Sequence, residues 1–192
     1  MGEVNQAALK EQALLATQAW FERVVLGLNL CPYAHQPAKA GAIRFCTFFE
    51  SDEESLFECL ARELELLVNS APSELETTLI VLPAGFEDFF FYLSILDAVD
   101  NWLAKNGWEG QFQVASFHPN YQFDGSSADD RGNLTNRSPY PILHLLREES
   151  LTKIVDSRAD TAAVPERNIT RITGLTDAEV GELFPYIHQK PL

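Results

Sequence analysis

The stretch "TTLIVLP", Thr77 to Pro83, decides the fold. It is short, almost wholly apolar, and closed by Pro83 and Gly85. A strand with one face in water alternates apolar and polar residues, whereas a strand covered on both faces does not. It therefore reads as a central strand of a parallel sheet. Upstream, "AIRFCTFFES" is rich in aromatic and β-branched residues and reads as another strand. Between them "SDEESLFECLARELELLVNSA" is amphipathic, with Ser51 as N-cap and Glu54 three residues on, as in a capping box. Downstream, "FEDFFFYLSILDAVDNWLAKNG" reads as a helix closed by Gly107, and "GQFQVASFHP" as a third strand. This order predicts an α/β domain with a small, mostly parallel sheet (a β-α-β-α-β core), two or three layers deep. A ferredoxin-like α+β arrangement, with a split unit and an antiparallel strand, is the alternative.

The flanks add helices. Leu9, Ala13, Ala16, Trp20, Val24 and Leu28 recur at steps of three and four, which predicts an N-terminal helix over about residues 4–29. Pro32 pushes Cys31 out of helical geometry, and "PYAHQPAKAGA" follows as a linker. "PILHLLREESLTKIVDS" reads as a third helix beginning around Pro139 to Pro141. "RADTAAVPERNITRITG" reads as irregular or as a last edge strand, and "TDAEVGELF" as a short helix capped by Thr176. The whole chain, 1–192, suits a single domain.

Composition narrows the function classes. Hydrophobic residues make up 46% and charged residues 22%, as in ordinary globular proteins. The net charge of −14 repels phosphate backbones and anionic lipid, so neither nucleic acid nor membrane is an expected partner. No apolar run approaches the ~18 residues of a membrane span. Three cysteines, Cys31, Cys46 and Cys59, are an odd set without a close pair. Together with an opening that lacks the basic and apolar regions of a secretory signal, they predict a reducing, cytoplasmic setting. Phe89, Phe90, Phe91 and Tyr92 cover too much of one helix for a single buried stripe, which marks a second element or a homodimer surface.

The passage from Phe117 to Glu148 carries the candidate chemistry. Ligands of open parallel sheets gather beyond the strands' carboxyl ends. His118 leaves the third strand there, before a loop of about residues 119–139 that is too aromatic for disorder. His118 is the candidate general base, Asp130 its orienting partner, and Cys31 the outside candidate for nucleophile. Tyr121, Asn133, Asn136, Arg137, Ser138, Tyr140, His144 and Arg147 are the candidate ligand-binding set. Arg137 and Ser138 would flank a helix N-terminus, which favours anions. On that same helix His144 and Arg147 would share a face. The expected partner is a small anionic molecule bearing phosphate or carboxylate. A metal held by His118, His144, Asp129 and Asp130 has no ligand-spacing signature, and no nucleotide-binding glycine motif appears, so the cofactor stays unknown. The same residues also suit surface ion pairs, helix capping and core packing.

Two passages, "GLNLCPYA" (Gly27 to Ala34) and "ASFHPNYQFDG…DDRGNLTNRSPYPILHLLREES" (Ala115 to Ser150), resemble a bacterial family catalogued as a domain of unknown function, numbered 1415. "TTLIVLP" and "PERNITRI" fit its pattern as well. The resemblance implies a bacterial cytosolic protein of this size and transfers no catalytic residue. Function therefore rests on the residues. The first expectation is an enzyme using His-based acid/base chemistry on a small anionic metabolite, with a metal-assisted hydrolase as its subtype. The alternative is a non-catalytic module binding a small ligand or a partner.

Overall fold

A computed structural model describes residues 3–157 and 163–187. Helix α1 (Glu3–Trp20) runs into a π-helical stretch over Phe21–Leu26. Asn29 then takes a left-handed backbone, φ 51°, and turns the chain away. A short helix α2 (His35–Ala40) occupies the expected linker and leads into β1 (Ile43–Thr47). Helix α3 (Glu53–Asn69), β2 (Thr77–Val81), α4 (Phe89–Lys105) and β3 (Phe112–Phe117) follow as the sequence predicts. The N-cap of α3 is Asp52 rather than Ser51, and its side chain accepts from Ser55 N at 2.8 Å. Gly85, φ 85°, turns the chain after β2 so close to Ser51 that a Cβ there would lie 2.9 Å from the serine Cβ.

The sheet departs from expectation at its centre. Residues Ile142–Arg147 form strand β4, and helix α5 (Glu148–Ser157) starts only after it. The strand order is β1-β2-β4-β3. Only β1 and β2 pair in parallel; β4 runs antiparallel to both β2 and β3. The sheet is thus mixed, not mostly parallel, and β2-α4-β3 is a β-α-β unit split by β4. The burial of β4 explains the misreading. Ile142, Leu143, Leu145 and His144 are all buried, so the strand lacks the alternation of a half-wet strand. Its apolar spacing of three and four also fits a helix.

Helices cover both faces. On one, Ile80, Leu82, Leu143, Leu145 and Phe112 pack with α3 and α4. On the other, Leu79, Ile142, Ile43, Phe45 and Phe117 pack with α1, its π-helical extension, α6 (Val164–Thr173) and α7 (Asp177–Leu183). Helix α6 replaces the irregular or extended segment expected there; Arg158 to Ala162 of that stretch lie outside the described residues. Thr176 caps α7 in a full capping box with Glu179. At the β1 edge the buried Glu63 is held by Arg44 through two bonds, Nε to Oε2 at 2.8 Å and the second at 3.2 Å. On α4, Tyr92 is buried while Phe90 stands 80% exposed. Among the described residues no helix is long and apolar enough to cross a membrane.

Candidate functional site

The long loop after β3 is held by its own polar side chains. Asn133, fully buried, accepts from Phe123 N (3.0 Å) and Ser126 Oγ (2.9 Å) and donates to Ser127 O (2.8 Å). Arg137 donates to Tyr121 O (3.1 Å) and Ala128 O (2.8 Å). Asn136 donates to Ser116 O, and Ser138 Oγ to Tyr140 O. Asp130 is exposed and accepts from Gly132 N as the cap of a 3-10 turn over Arg131–Thr135. The Tyr121 ring packs against Phe89 and Phe123, and burial pushes the Tyr140 hydroxyl pKa up. Asn133→Ala should cost about 1 kcal/mol, since it removes the partner of Phe123 N and of Ser127 O, while Ser126 Oγ keeps Phe123 O as acceptor. Hydrogen exchange would report it as lost protection at Phe123 with β2 unchanged; unchanged protection at Phe123 would mean the loop is held elsewhere.

His118 belongs to the same scaffold. It is buried with both ring nitrogens engaged: Nε2 donates to Phe86 O and Nδ1 accepts from Asn120 N, each at 3.0 Å. Phe89 and Tyr92 pack against its ring. Burial lowers its pKa, against the Phe86 carbonyl and the nearby charges of Asp88 and Glu87. No ring nitrogen remains for a substrate proton. The helix N-terminus expected beside Arg137 and Ser138 does not exist, because β4 starts there instead.

A cavity of about 370 Å³ lies on the opposite, α1-covered face of the sheet. Trp20, Phe21, Val25, Leu79, Phe117 and Leu146 give it an apolar wall. It reaches the edge where β1 and β2 begin, at Ile43 and Thr77. That is not the strand-end edge predicted from a parallel sheet. Three predicted residues meet there: His144, Cys31 and Arg147. His118 and His144 lie on opposite faces, so the metal set that includes both does not assemble. Among the described residues no group of three or more His, Cys, Asp or Glu is placed to hold a metal.

His144 is fixed by its neighbour across the sheet. Thr77 Oγ1 donates to Leu145 O at 2.5 Å, so it accepts from His144 Nε2, 2.8 Å away. The proton therefore sits on Nε2, and Nδ1 carries a lone pair. Burial pushes the pKa of this ring down to about 4. The Phe117 ring lies 6.2 Å off, and Trp20 meets Phe117 edge-on at 5.1 Å. Thr77, which sets the tautomer, carries no signal of that role in so apolar a strand.

Cys31 reaches the cavity through a braced loop. Asn168 donates to Leu30 O (2.6 Å) and Arg171 to Leu28 O (2.8 Å). "PERNITRI" thus holds "GLNLCPYA" in place. Burial raises the Cys31 thiol pKa, while the backbone N–H groups of Tyr33 and Ala34 pull it back. The sulfur lies in the turn that precedes α2. Arg147 lines the cavity's edge, but its guanidinium is committed elsewhere. It donates to the carbonyls of Leu67, Ser70 (3.1 Å) and Leu75 (3.0 Å) and lies over the Phe112 ring.

No curated protein and no solved structure matches the chain. The family model described as protein of unknown function, DUF1415, matches residues 12–182, and the chain belongs to that family.

Proposed function

We propose that this protein binds a small, largely apolar molecule in the cavity between α1 and the sheet. The cavity itself carries the reading: about 370 Å³ with a mostly apolar, aromatic and aliphatic wall, and with polar residues such as Gln36, Glu76, Arg147 and Lys153 also in its lining. The anionic-metabolite reading has weaker support, because both Arg137 and Arg147 spend donors on backbone carbonyls. A panel of apolar aromatic fragments tests the proposal through thermal shift and through protection of Cys31 from iodoacetamide. A fragment at a hundredfold its Kd should stabilise the fold by about 2.7 kcal/mol. Ala40→Trp, on the exposed lip, should abolish both effects. If no fragment protects Cys31, the cavity is not a binding site.

One observation favours a second reading, thiol chemistry: Cys31 and His144 face a common cavity, and two backbone amides approach the sulfur. An activated ester such as p-nitrophenyl acetate would then acylate Cys31, with the carbonyl carbon bonding to sulfur, the thiol proton passing to solvent and p-nitrophenolate leaving. Mass spectrometry without that adduct would leave binding alone.

A further inference from the structure

From the His144–Thr77 pair we infer that the cavity selects a neutral hydrogen-bond donor, such as a phenol, an alcohol or a heteroaromatic N–H, presented on an apolar body. This rests on the cavity being the ligand site and adds the chemical class of its occupant. Nε2 of His144 is taken by Thr77, and Thr77 in turn by Leu145 O. Nδ1 has no partner among the described residues. Unlike Trp20 Nε1, it is not among the unpartnered polar atoms sealed from solvent. The residue is only 8% exposed and lines the cavity, so a buried lone pair opens onto a mostly apolar space whose charged lining residues are Glu76, Arg147 and Lys153. A lone pair there rewards a donor and repels a carboxylate oxygen. Charge is disfavoured in the same place, since burial already keeps the imidazole neutral down to about pH 4. Ordinary water could satisfy Nδ1 when the cavity is empty, so a ligand that displaces it must return the hydrogen bond.

Matched probes separate this inference from the one beneath it. p-Ethylphenol and its methyl ether differ in the O–H donor and by one methyl group, and p-ethyltoluene serves as the size-matched control without the donor. Calorimetric titration into the wild type should give the phenol about tenfold tighter binding. His144→Phe should equalise the two. Thr77→Val is the second variant, isosteric and milder in a buried strand. It releases Nε2 and lets the ring present either nitrogen, so the preference should shrink while binding persists. Equal binding of both probes to the wild type, or a preference unchanged in both variants, overturns the inference and leaves the cavity reading standing. If neither probe binds or protects Cys31, both fall together.

Discussion

Arg147→Ala should cost about 4 kcal/mol, one of the two largest effects expected in the chain. The side chain closes the C-terminal end of α3, where backbone carbonyls lack partners within the helix. Its guanidinium reaches the carbonyls of Leu67, Ser70 and Leu75 from the last residue of β4. A hydrogen bond from a charged donor is worth about 1.5–3 kcal/mol, and alanine leaves three acceptors to find water. Contact with the Phe112 ring is lost as well. The urea midpoint should drop with little change in slope, which marks lost stability rather than a changed unfolded state. Arg147→Lys should recover part of the loss, because all three bonds leave the single nitrogen Nη2 and an ammonium also carries three donors, whereas the contact of the planar guanidinium with Phe112 is lost. A loss below about 1 kcal/mol would show that α3 ends without this help.

The second large effect is a dependence on pH through His144. Its ordinary pKa is 6.5, and burial pushes it down to about 4 in the folded chain. Between those values the unfolded chain binds a proton that the folded one does not. Stability from this site is therefore complete above 6.5 and is lost as pH falls toward 4. The whole difference amounts to about 3 kcal/mol. His118 contributes with the same sign, and carboxylates titrate in the same window. Comparison with His144→Gln isolates the one ring, because glutamine keeps a donor for Thr77 and does not titrate. Chemical denaturation across that range should show the wild type losing about 3 kcal/mol more than the variant. Parallel curves would mean that the imidazole is protonated in the folded chain.

Taken together, these effects tie β4 to both halves of the molecule. Its Arg147 holds α3 on one side of the sheet, and its His144 faces the cavity on the other. Residues three apart share a face on a helix and oppose each other on a strand. The reading of "ILHLLR" as helical thus put both side chains on one face, whereas the strand turns the Arg147 guanidinium to α3 even though both residues line the cavity.

Much of the fold was legible locally. Apolar steps of three and four marked α1, an amphipathic pattern marked α3, the closing Gly107 marked α4 and the Thr176 cap marked α7, while an aromatic and β-branched run marked β1 and an apolar run β2. Those signals are short-range: they depend on which face of one element is apolar. Within the candidate site, His144 and Cys31 were named from sequence, but not their shared cavity, and Thr77 was missed. The tertiary structure alone decided the direction of β4, because a strand covered on both faces loses its alternation and pairs with whatever edge is open. That insertion put His144 beside Thr77, a residue 67 positions away in sequence. It also left His118 satisfied among backbone groups. Which histidine keeps a nitrogen for a ligand is a matter of long-range pairing, and no local pattern encodes it.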